Sequence, residues 1–201
     1  RMAEVLEEAG VVFMFAPLLH PAMRHVGPVR RELGIPTIMN LLGPLTNPAG
    51  ARRQVVGVSD PALVPLVIEG LQKLGHLRAM VVHGYPGIDE VSPLGPTRVA
   101  ELRDGMVEHY ALSPEDVGIE TVGREGLEGG EPEDNARRIR EVLDGTDRGS
   151  ARAAVVLNAA AAIQVGDRAA KVGEAVVVAQ ESLECGAGGG REHGRQPALR
   201  L

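Results

Sequence analysis

The sequence predicts an α/β fold, a mixed, mostly parallel sheet flanked by helices. Three features carry that expectation. Residues 55–58 read as a strand, Leu63, Leu66, Val67 and Leu71 then recur at helical spacing up to Gly75, and residues 78–82 read as a second strand. A strand regained through a helix runs parallel to the first. Ala79, Met80, Val81 and Val82 form an unbroken apolar run, as expected of a strand covered on both faces. Cover is available in residues 151–166 and 172–184, two helical segments rich in Ala and Val.

The remaining elements follow along the chain. Residues 2–9 are helical and close on Gly10. Residues 11–15 form an apolar run that predicts a short buried strand, stopped by Ala16 and Pro17. Pro21 suits the first turn of a helix over 22–26, Pro28 restarts it through Leu33, and Gly34 ends it. Residues 37–42 are apolar and enter the segment Gly43, Pro44, Leu45, Thr46, Asn47, Pro48, whose turn chemistry predicts a rigid loop. Residues 84–90 extend past the second strand, the place where ligands gather in open α/β sheets. Residues 97–102 and 106–112 alternate about Asp104 and Gly105, a pair that favours a tight antiparallel hairpin. A polar stretch over 121–130 leads to a helix opened by Pro132, with Glu133 and Asp134 suited to the positive end of its dipole. From Gly186 the apolar content falls away, and residues 186–201 are expected to be a disordered Gly/Arg-rich tail. At 201 residues and 44% hydrophobic content the chain supports one sizeable core, so residues 1–185 read as a single α/β domain.

Composition excludes several classes of function. A net charge of −6 opposes broad attraction to nucleic acid or to anionic membranes, both of which need a cationic surface. Phe13, Phe15, Tyr85 and Tyr110 are the only aromatic residues, which leaves little for base stacking. A lone cysteine, Cys185, forms no internal disulfide. No apolar run reaches membrane-spanning length and no signal-peptide pattern opens the chain, so the expectation is a soluble cytoplasmic protein.

Two long motifs narrow the field. Residues 15–48 read FAPLLHPAMRHVGPVRRELGIPTIMNLLGPLTNP, and residues 81–92 read VVHGYPGIDEVS. In this order they resemble the anthranilate phosphoribosyltransferase family of tryptophan biosynthesis, with fainter likeness over 129–135 and 155–162. The resemblance implies a glycosyltransferase-type α/β catalytic domain, similar in fold to the nucleoside phosphorylases. It also implies attack of the anthranilate amine on the anomeric carbon of phosphoribosyl diphosphate, with diphosphate leaving, Mg2+ as cofactor, and a homodimer at full length.

That chemistry needs a seat for an aromatic carboxylate and a counter-charge for a diphosphate. Arg30 lies where the resemblance places the anthranilate-binding arginine, and a guanidinium fork matches two carboxylate oxygens. Read alone, Arg30 is a solvated arginine beside Arg31. His20 and Pro44 match two further wall positions; His20 also reads as a helix-entry residue fixed by Pro21. Asp89 and Glu90 match the acidic pair that holds the magnesium accompanying the donor. Adjacency alone says nothing, because random order of these acids gives about 3.5 adjacent pairs. Only Asp89-Glu90 follows a buried strand in a Gly-flanked loop. No serine sits in a recognisable nucleophile elbow, and positioning with charge stabilisation needs no covalent nucleophile.

Departures from the pattern are few. Leu19 stands where many relatives carry a second histidine. The glycine-rich donor loop of the resembled family, of the GTGGD kind, and its amino-terminal helices fall ahead of the position of Arg1, so the 201 residues alone are expected to be inactive. Alternatives are a nucleic-acid-binding relative of the same fold, which should be basic and lack Arg30 and the acidic pair, and a pyrimidine nucleoside phosphorylase.

Overall fold

A computed structural model describes residues 2–19, 23–35 and 39–186. Contacts divide the chain into two compact units, Arg1–Arg52 and Arg53–Leu201, a finer division than the single domain read from composition. All but the first residue of the expected tail lies outside the described residues.

The first unit is helical: α1 (Met2–Ala9), α2 (Ala16–Leu19), α3 (Met23–Leu33) and α4 (Met39–Leu45). Gly10 at φ 71° closes α1 and Gly34 at φ 61° closes α3, positions where a side chain would be strained. Three expectations need correction. Residues 11–15 form no strand, and Phe13 is 84% exposed. An apolar run becomes a strand only where a neighbour accepts its ladder, and among the described residues this unit holds no strand. Pro28 lies inside a continuous α3 and restarts nothing. The expected rigid loop from Gly43 is helical as far as Leu45, with Pro44 inside α4. Pro44 forfeits one helical bond, yet Leu42 O accepts from both Thr46 N–H at 2.9 Å and Thr46 Oγ1 at 2.6 Å, so the last turn is closed from beyond the proline.

The second unit holds β1 (Arg53–Gly57), α5 (Leu63–Lys73), β2 (Arg78–Gly84), β3 (Thr97–Arg103), β4 (Met106–Leu112), a short 3-10 turn (Pro114–Val117), α6 (Pro132–Leu143), α7 (Ser150–Val165) and α8 (Val172–Glu184). The strands form one four-stranded sheet in the order β1-β2-β3-β4. β1 and β2 are parallel, with Gly57 opposite Val82. β2–β3 and β3–β4 are antiparallel. The mixed sheet flanked by helices is as expected, but the share of parallel pairing is smaller. The reason is the hairpin: Asp104 (φ 51°) and Gly105 (φ 78°) make a turn with both central residues left-handed, which reverses β4 directly onto β3.

The sheet is covered on both faces. Met80, Val82 and Val99 pack with Val156, Leu157 and Ala160 of α7 and with Ala175, Val176 and Ala179 of α8. Ala79 and Val81 point the other way by strand alternation. There α5 packs on β2 and β3 with Val64, Val67, Ile68 and Leu71 buried. The unbroken apolar stretch of β2 is thus the signature of a strand sandwiched between helical layers.

A charged cluster ties the start of β2 to α7. Arg78, 4% exposed, donates to Glu101 at 3.2 Å and to Asp167 beyond α7. Glu101 also accepts from Tyr110 Oη at 2.9 Å and from Gln164 Nε2 at 3.1 and 3.2 Å. Burial, and then the Glu101 charge, pushes the Tyr110 phenol far above its ordinary range, so it remains a hydrogen-bond donor.

Candidate functional site

Residues 84–90 lie past the carboxyl ends of the parallel strands β1 and β2, the end of a β-α-β unit at which ligand loops gather. Gly84 ends β2 and bridges Ile88, donating to Ile88 O at 2.8 Å and accepting from Ile88 N–H at 2.9 Å. The chain then turns through Asp89 and Glu90, both exposed, before diving back at the buried Val91 and Ser92.

Two glycines let this loop lie on the strand ends. A Cβ on Gly57 would sit 1.6 Å from Asp89 O and 2.4 Å from Asp89 C, so the acidic loop rests directly on β1 backbone. A Cβ on Gly84 would lie 2.4 Å from Glu90 O and 2.7 Å from Ser92 Cβ. Neither position needs glycine for a left-handed φ; both need it for space.

The far side of the loop is fixed as firmly. Val91 N–H donates to Asn158 Oδ1 at 2.9 Å, and Asn158 Nδ2 donates to Val91 O and to Ala154 O, each at 2.9 Å. Ser92 N–H donates to Thr97 Oγ1 at 2.9 Å, Ser92 Oγ donates to Tyr85 O, and Leu94 N–H donates to Ser92 Oγ at 3.0 Å. Asp89 and Glu90 line a cavity of about 310 Å³ together with Pro86, Ile88, Leu94 and Arg124. A larger cavity, about 740 Å³, is lined by His83, Tyr85, Arg98 and His109 and does not include the acidic pair.

Of the residues singled out in the sequence, Asp89 and Glu90 therefore share one loop and one cavity in the second unit. Pro44 is half-buried in α4, and Arg30 lies on α3, both in the first unit. His20 lies outside the described residues, as does the side chain of Arg30. Among the described residues no group of three or more His, Cys, Asp or Glu gathers around a common point. Two exposed carboxylates on a braced loop suit Mg2+, which takes one or two protein carboxylates and completes its octahedron with waters and substrate phosphates. Sequence reading missed Gly57 and Asn158. A glycine inside a strand signals close backbone approach and would have pointed to Gly57; an asparagine in an apolar helix gives no such signal.

Among known proteins, residues 1–188 match the family described as "Glycosyl transferase family, a/b domain", and the chain belongs to it. Within that class it is similar to anthranilate phosphoribosyltransferases. The anthranilate phosphoribosyltransferase of Rubrobacter xylanophilus is 53% identical over 187 residues, which cover 93% of this chain and 55% of that protein. The anthranilate phosphoribosyltransferase of Myxococcus xanthus is 48% identical over 188 residues, again 93% and 55%. A crystal structure of the Thermus thermophilus anthranilate phosphoribosyltransferase superposes with a TM-score of 0.89 at 44% identity, covering 96% of this chain and 56% of that one. The Saccharomyces cerevisiae enzyme in complex with PRPP and Mg gives a TM-score of 0.83 at 28% identity, covering 91% and 53%. The chain thus spans about half the length of the relatives it matches. No described helix is long and apolar enough to cross a membrane.

Proposed function

We propose that this chain supplies the acceptor-binding and metal-binding residues of an anthranilate phosphoribosyltransferase, a step of tryptophan biosynthesis in the cytoplasm. The observation that carries the reading is the seating of Asp89-Glu90 past the parallel strand ends in a chain whose relatives share that name. Support also comes from a related structure in complex with PRPP and Mg and another with 4-fluoroanthranilate.

In this reading the Arg30 guanidinium takes the anthranilate carboxylate in a two-point contact, while His20 and Pro44 form walls that hold the ring. That grip leaves the amine free to attack the anomeric carbon as the bond to diphosphate breaks, and the amine then gives up a proton to solvent water. The Asp89 and Glu90 carboxylates hold the metal in place. Mg2+, when bound, neutralises the charge that builds on the leaving diphosphate. Positioning and charge account for the acceleration. The homodimer belongs to the full-length protein in this reading.

Calorimetric titration with anthranilate tests the acceptor half. Arg30→Met is expected to weaken binding at least about tenfold, a difference of about 1.4 kcal/mol, with Arg30→Lys in between because a lysine offers a point charge instead of a fork. Equal affinities for the wild type and Arg30→Met would remove Arg30 from the site.

A further inference from the structure

We infer that Asn158 is a positioning residue for the acidic pair: its side-chain amide, reaching from α7, sets the orientation of the Asp89 and Glu90 carboxylates toward a divalent cation. The inference rests on the reading of Asp89-Glu90 as the magnesium pair and adds a residue to it.

The acidic pair is suspended between two clamps. On the amino-terminal side the reciprocal Gly84–Ile88 bonds, at 2.8 and 2.9 Å, fix the chain immediately before Asp89. On the carboxyl-terminal side Asn158 takes both main-chain groups of Val91, at 2.9 Å each, immediately after Glu90. Only Asp89 and Glu90 lie between. A primary amide carries an acceptor and a donor side by side, so it accepts from the N–H and donates to the C=O of the same residue, as a neighbouring strand would. The second Nδ2 proton goes to Ala154 O at 2.9 Å, so the amide is held by its own helix and presents one fixed face.

This bracing differs from anchoring by burial. Val91 is 1% exposed and belongs to the core, an anchor through its side chain that leaves its backbone groups to Asn158. Asn158 itself is only half-buried, at the edge of that core. What its amide adds is control of the Glu90–Val91 and Val91–Ser92 peptide planes, the exit from the acidic pair, which is the service that residues behind metal ligands perform.

Mn2+ serves as a paramagnetic probe for Mg2+, read from the broadening of the amide signals of residues 84–92 as the ion is titrated, with hydrogen exchange of the Val91 amide measured alongside. Asn158→Ala, which loses all three bonds, and Asn158→Asp, which keeps one acceptor but sets a charge against two carbonyls, should each raise the Mn2+ midpoint roughly tenfold. Both should expose the Val91 amide to exchange. Val91→Ala thins the core while leaving the amide clamp in place; it should lower stability yet keep the midpoint within about twofold of wild type. The inference is overturned if Asn158→Ala binds Mn2+ as the wild type does, or if Val91→Ala weakens binding as much as the Asn158 variants do. A wild-type protein with no broadening at residues 84–92 would fail the magnesium reading itself, a result distinct from equal midpoints.

Discussion

Gly57→Ala is expected to destabilise the second unit by about 3 kcal/mol and to displace the acidic loop, the upper end of what overpacking usually costs. The added methyl would fall 1.6 Å from the carbonyl oxygen of Asp89 and 2.4 Å from its carbonyl carbon. Both are backbone atoms, so no rotamer change relieves the clash. Either the end of β1 leaves its ladder with β2 or residues 88–90 move away, and the Gly84–Ile88 bonds hold the loop against the second route. Urea denaturation reads the stability and amide shifts over residues 84–92 read the displacement. Gly173→Ala is the control: a methyl added there, on α8, would meet nothing within 4 Å, so the change should be neutral or slightly stabilising. A Gly57→Ala protein as stable as the wild type would mean that the acidic loop does not rest on β1.

Arg78→Met should cost about 3–5 kcal/mol, because it leaves a buried carboxylate without its cation. Arg78 and Glu101 have side chains 5% and 11% exposed, well inside the screening of solvent. Tyr110 and Gln164 still donate to Glu101 in the variant, but neither carries charge. Arg78→Met/Glu101→Leu should recover more than half of the loss, since an apolar pair of similar volume avoids desolvating two ions. The pH dependence follows from Asp167. The hydrogen bond from Arg78, then that from Arg53, holds its carboxyl below the ordinary range. A lowered folded-state value contributes stability above the unfolded pKa and loses it as pH falls through the folded one. The advantage of wild type over Arg78→Met should therefore shrink as pH drops below about 4. Chemical denaturation at neutral and acid pH measures both effects.

Much of the second unit was legible from residues alone, for reasons that are local. The apolar continuity of Arg78–Gly84 demanded cover on both faces, the Asp104-Gly105 pair dictated a hairpin, and Gly75, at φ 78°, punctuated the end of α5. The first unit resisted. Its apolar run at 11–15 has no ladder partner among the described residues, and a strand is defined by a partner that its own sequence does not contain. The Gly43-Pro44 pair carries the local signal of a turn, but closure by Thr46 outweighs it. In the site, Asp89 and Glu90 were legible through a motif and through their place after a buried strand. Gly57 and Asn158 act on them across 32 and 68 residues of chain as measured from Asp89 and Glu90, contacts that exist only once the sheet and α7 are assembled.

If the two carboxylates past the strand ends form a divalent-metal site that works with a diphosphate, magnesium and diphosphate must reinforce each other there. Amide NMR titration of the wild type and of Asp89→Asn/Glu90→Gln with MgCl2, with and without inorganic diphosphate, reads that coupling. Shifts should be confined to residues 84–92, appear at lower Mg2+ when diphosphate is present, and vanish in the double variant. Shifts that persist without the carboxylates, or a wild type indifferent to Mg2+ and diphosphate together, would show that Asp89 and Glu90 are not a metal site.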